Sequence, residues 1–236
     1  MPDHFVETNI VIGYTVEWDR QWPTVQRYFD AASEGTLYTS PRVLTEAEDV
    51  VNERRRLAKQ AARRIFREFE AAQRGRQPID QIVDFVYGEF SHCRNSVVDH
   101  VIQHIEDNPG YYIGLTQVDT RRVLESTTED IDDDFAVPID VIDDLRRQRC
   151  ADLDCSVFTD ILEDYSDYAV FVSVDSLSCG RMDKYILMDA FHLSQTEGID
   201  PLHFVTMDGH FLDNESYLER RLGCIDIEHP DDVTQR

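Results

Sequence analysis

The stretch His203-Phe-Val-Thr-Met-Asp-Gly-His-Phe211 decides the fold. Its first half is an apolar strand that runs out at Thr206, and an acid, Asp208, follows two residues later. A helical pattern covers Phe211–Leu222, and Cys224–Ile227 is again a strand. A strand, a helix and a strand in succession imply a parallel pair joined by a crossover. Open parallel sheets collect their functional groups outside the carboxyl ends of the strands. Asp208 is therefore the first candidate for chemistry.

Upstream, the pattern predicts a strand at Tyr168–Val174 and a helix at Asp183–Gln195. At the other end of the chain, His4–Ile12 reads as a strand interrupted by Glu7-Thr-Asn9. A helix follows, with Val25, Tyr28, Phe29 and Ala32 at helical spacing; Gly35 closes it, and Thr36–Thr39 is a short strand. Ser40-Pro41 is a helix start, with serine as N-cap and proline where its missing N–H costs nothing. The apolar stripe Leu57, Ala61, Ile65, Phe69 and Ala72 carries that helix to about Gln73. Further helices are expected over 79–106, ended by Pro109-Gly110, at Thr120–Glu125 and from Pro138 to Tyr165, with Glu129–Asp134 as an acidic loop between the last two. The tail after Pro230 reads as loose. The expectation is one α/β domain, residues 1–236: a three-layer parallel sheet flanked by helices, its core from 1–50 and 166–230, with a large helical insertion over about 51–165.

Composition narrows the classes. Hydrophobic residues make up 42% of the 236, enough for a sizeable core. Nothing approaches the roughly 20 apolar residues of a membrane span, and Met-Pro-Asp-His lacks the basic and apolar regions of a signal peptide. The expectation is a soluble, cytoplasmic protein. Five cysteines without a C-x-x-C pair argue against a disulfide framework or a zinc ribbon. The net charge of −24 is dispersed, and two lysines stand against 21 arginines. That pattern suits a surface adapted to high salt, as in a halophile, and does not exclude RNA as a ligand.

Four acids are candidates for a shared site. Glu7 and Asp208 follow strands; Glu46 lies one and a half turns into the helix begun by Pro41. Asp189 interrupts the apolar helix Lys184-Tyr-Ile-Leu-Met-Asp-Ala190, where a carboxylate is costly unless paired or bound to metal, or else faces solvent.

These residues resemble the motifs of PIN-domain nucleases. Phe5-Val-Glu-Thr-Asn-Ile-Val-Ile12 is similar to the family's opening strand, Ser40-Pro-Arg-Val-Leu-Thr-Glu46 to its second motif, and Asp189-Ala190 to its third, an acid opening a helix. Phe204-Val-Thr-Met-Asp-Gly-His-Phe211 is similar to the fourth. The resemblance covers the first fifty residues and the last seventy or so. It implies metal-dependent hydrolysis of RNA phosphodiester bonds, by a toxin or an RNA-processing enzyme. Glu7, Asp189 and Asp208 would hold Mg²⁺ or Mn²⁺, Glu46 would be a fourth ligand or position the water, and Asn9 and Thr206 would support them. Implied partners are RNA, an antitoxin protein where the chain is a toxin, and a second copy in a homodimer; a membrane is not among them. Two positions depart from the family: Glu7 stands for the usual Asp, and His210 for a further acid.

Between Val50 and Arg76, nine arginines and lysines face three glutamates. Arg56, Lys59, Arg63 and Arg67 are candidates for phosphate contact, against an arginine face neutralised by neighbouring acids. His92, Cys93, His100 and His104 lack the spacing of a zinc site, and Asp130–Asp134 lacks the glycine and glutamate of a calcium loop. The alternative to a ribonuclease is a non-catalytic PIN-like module that holds RNA or protein; a third is a helical interaction protein.

Overall fold

A computed structural model describes residues 2–32, 35–75, 88, 99–101, 103, 117–149 and 155–234, with backbone alone for 68–75 and 117–120. The expected helix at 79–106 and three of the four zinc candidates, His92, Cys93 and His104, lie outside or almost wholly outside the described residues. The chain divides into two compact units, 1–48 with 140–236, and 49–139.

The first unit is α/β. Among the described residues its sheet has five strands, all parallel, in the order β3-β2-β1-β4-β5: β1 Asp3–Val6, β2 Leu37–Thr39, β3 Cys155–Val157, β4 Leu202–Val205 and β5 Ile225–Glu228. Central β1 pairs with β4 from Asp3↔Leu202 to Val6↔Val205. Strand alternation puts Phe5 and Phe204 on one face, stacked at 5.9 Å, and His4 and His203 on the other, stacked at 5.5 Å. Phe211 covers the first face, and the Tyr28 hydroxyl meets His4 Nδ1 at 2.9 Å on the second. Both faces are thus buried beneath helices, as an all-parallel sheet requires.

The helices of this unit are α1 Thr8–Thr15, α2 Trp22–Ala31, the start of α3 Pro41–Gly75, the end of α4 Gln117–Arg146, α5 Phe171–Asp175, α6 Arg181–Glu197, α7 Gly209–Leu212, α8 Glu215–Leu222 and α9 Pro230–Val233. Ser40 caps α3 as expected, its Oγ accepting from the Val43 N–H at 3.3 Å. Gly13 lets α1 approach α2, since a Cβ there would stand 2.7 Å from Val25.

Several expectations are corrected. The first strand stops at Val6, and the apolar run Ile10–Ile12 is buried as part of α1. Tyr168–Val174 is not a strand; its second half is the short α5. Pro138–Tyr165 is not one helix, because α4 ends at Arg146 and β3 follows, its ladder extended by Phe158 N–H to Thr39 O at 2.8 Å. The tail after His229 begins with α9.

In the second unit α3 and α4 continue. The acidic run is helical, not a loop, and Pro138 lies inside α4. Ile131, Phe135 and Pro138 are buried at helical spacing, which offsets the hydrogen bond the proline cannot make. Asp132 accepts from Arg55 Nε at 2.6 Å and Lys59 Nζ at 2.7 Å, tying α3 to α4. Among the described residues no helix is long and apolar enough to cross a membrane.

Candidate functional site

The strand order turns about β1: β2 and β3 lie on one side of it, β4 and β5 on the other. Such a switch point leaves a crevice at the carboxyl ends of β1 and β4. Glu7 follows β1 there, and Thr206 to Asp208 follow β4.

Glu7 occupies the N-cap of α1, yet its side chain makes no cap bond. It turns instead to Thr206, whose Oγ1 donates to Glu7 Oε2 at 2.9 Å. The same hydroxyl accepts from the Asp208 N–H at 2.9 Å, and Asp208 Oδ1 accepts from the His210 N–H at 2.8 Å. Asn9 Oδ1 accepts from the Met207 N–H at 3.2 Å, binding the exit of β4 to α1. Glu46 reaches the cluster from α3, accepting from Thr8 Oγ1 at 2.5 Å. Thus Glu7, Glu46, Asp208, Asn9 and Thr206 come together from distant stretches of sequence.

The electrostatics adds a member. Glu7 is 4% exposed. Burial, partly offset by the Thr206 hydrogen bond, pushes its pKa from 4.5 to about 8, helped by the charges of Asp208, Glu46 and Asp183. Asp183 is raised as well, by burial and then by Asp208, against the Gly180 hydrogen bond and His210. It lies at the start of α6, where Oδ2 accepts from the Gly180 N–H at 2.9 Å. An acid opening a helix was the expected third motif, and Asp183 meets that description where Asp189, mid-helix, does not.

Asp189 is occupied elsewhere. It is fully buried, its Oδ1 accepting from the Tyr165 hydroxyl at 2.5 Å and its Oδ2 from Ser40 Oγ at 2.8 Å. Arg42 Nε stands 3.4 Å from Oδ2, an ion pair too poorly aligned for a hydrogen bond. Burial raises the Asp189 pKa, while Tyr165, Arg42, Ser40 and His192 hold it down. Asp189 is costly to bury and is paired for that reason.

Of the arginine-helix candidates, Arg56 pairs with Glu53 at 2.5 Å and Lys59 with Asp132, whereas Arg63 and Arg67 are exposed and carry no ion pair among the described residues. A separate hollow of about 480 Å³, lined by Glu215, Glu219, Asp226, Ile227, Glu228 and Asp232, contains none of the candidate residues.

Among the described residues no three His, Cys, Asp or Glu side chains close tightly enough to grip an ion as they stand. The chemistry of the donor set fits a hard divalent cation: carboxylate oxygens from Glu7, Glu46, Asp183 and Asp208, with a repulsion at Glu7 that a cation would relieve. No protein family, curated protein or solved structure matches the chain.

Proposed function

We propose that the chain is a metal-dependent endoribonuclease of the PIN type, in which Glu7, Glu46, Asp183 and Asp208 hold Mg²⁺ or Mn²⁺. The observation that carries this reading is the meeting of carboxylates at the switch point: Glu7, raised to about 8 by burial first, is pushed in the same direction by the charges of Asp208, Glu46 and Asp183. A bound cation of this kind makes water a stronger nucleophile at neutral pH and offsets charge on a phosphodiester. Thr206 aims Glu7, Thr8 aims Glu46, and the His210 N–H holds Asp208 in place. Exposed Arg63 and Arg67 are the remaining candidates for RNA phosphates on the arginine helix.

The test is cleavage of single-stranded RNA with Mn²⁺ or Mg²⁺ in high salt, which screens repulsion between RNA and a protein of charge −24. Asp183→Asn and Asp208→Asn should each lower the rate at least about a hundredfold while the protein stays folded, about 2.7 kcal/mol of barrier. Metal binding without cleavage would replace the enzyme by a PIN-like module that holds RNA or protein.

A further inference from the structure

Asp189 joins three parts of the α/β unit: its own helix α6, the segment before α5 through Tyr165, and the first turn of α3 through Ser40 and Arg42. The Ser40 hydroxyl donates to Asp189 and accepts from the Val43 N–H, so one oxygen couples the carboxylate to the helix start. Ser40 O also accepts the first bond of the helix, from the Leu44 N–H at 3.1 Å. Arg42 is held from two further directions: Nη2 donates to Leu162 O at 2.9 Å, and the guanidinium lies 4.9 Å over the Tyr185 ring. Four residues beyond Arg42 on the same helix is Glu46. Residues at that spacing share a face, so whatever fixes Arg42 also fixes the rotation that turns Glu46 toward Thr8.

We infer that Asp189 is a positioning residue for the acidic site: it locks the start and rotation of α3 and, through α3, presents Glu46 to the cluster around Glu7. The inference rests on the metal-binding reading above, and it gives Asp189 a different part from the ligand role its place in the sequence suggested. Both oxygens of its carboxylate serve protein donors, so its influence on an ion passes through Glu46.

A double-mutant cycle on Mn²⁺ affinity, read by electron paramagnetic resonance of free Mn²⁺ in high salt, tests this with the full chain. Asp189→Asn should keep the number of bound ions and weaken binding about tenfold, the scale for groups that orient ligands. In a Glu46→Gln background the same change should have no further effect, because the residue through which it acts is already gone. An equal loss in both backgrounds, or loss of an ion on Asp189→Asn alone, would overturn the proposal. If Asp189→Asn fails to fold, Ser40→Ala removes only the hydroxyl relay and must show the same dependence on Glu46. Amide exchange gives a readout free of metal: Val43 and Leu44 should exchange faster in Asp189→Asn or Ser40→Ala. Should the parent bind no Mn²⁺, the nuclease reading fails, and the lock on α3 stands or falls on that exchange, unchanged rates overturning it.

Discussion

Glu7 and Asp189 are both buried carboxylates of the α/β unit, 4% and 0% exposed, in opposite company. Asp189 has a hydroxyl on each oxygen and a guanidinium beside them. Glu7 has one hydroxyl, from Thr206, and three carboxylates whose charges act against its own. The protein has completed one environment and left the other short of positive charge. A carboxylate supplied with donors holds elements together; carboxylates set against one another hold energy that a cation releases.

The largest expected effect is the response of metal-free protein to pH. Glu7 is raised from 4.5 to about 8, so its protonated form favours the fold. That stabilisation is complete below the unfolded value and is lost as pH climbs through the folded one. By about pH 8 the parent should have given up on the order of 4 kcal/mol that Glu7→Gln retains. Denaturant unfolding of both proteins across this range measures the difference; parallel curves would mean that Glu7 is no more strained than Asp189.

Substitution at Asp189 should move stability in the opposite direction from Glu7→Gln. Asp189→Ala takes a buried acceptor from Arg42 and two hydroxyls and should cost about 3 kcal/mol, read from the same unfolding curves. Stability equal to the parent's would mean that the network contributes nothing. Next in size is Glu7→Asp. The carboxylate now reaches Thr206 from the end of a glutamate, and shortening withdraws it by about 1.5 Å. Mn²⁺ affinity and RNA cleavage should fall about tenfold or more; a rise in either would show that the longer side chain misplaces the ion. The smallest effect is expected from Tyr165→Phe, about 1 kcal/mol, since Ser40 and Arg42 still serve Asp189.

Much of the α/β core was legible because its signals are local. Apolar Phe204–Val205 and the Ser40-Pro41 helix start read correctly from a few neighbouring residues. Short apolar runs did not, since Ile10–Ile12 and Phe171–Val174 suit a helix as well as a strand. Three-residue β3, in an acidic stretch, gives almost no period to read. That Glu7, Glu46 and Asp208 come together could be expected from the sequence, because strand ends and a capped helix place them. What Asp189 and Asp183 each meet could not be read along the helix. It depends on Ser40, 149 positions from Asp189, and on Asp208, which reaches Asp183 only through the fold. The local clue was the helix start at Gly180-Arg-Met-Asp183, where an acid opens the element.

In the proposed site Glu7, Glu46, Asp183 and Asp208 share an ion and Asp189 does not. A crystal grown in high salt with Mn²⁺, and its anomalous scattering, tests it most directly. The expected result is a manganese peak in the crevice between β1 and β4, with oxygens of Glu7, Asp183 and Asp208 about 2.0–2.6 Å away and Glu46 beside them. A peak coordinated by Asp189, or saturating Mn²⁺ with no peak in that crevice, would contradict it.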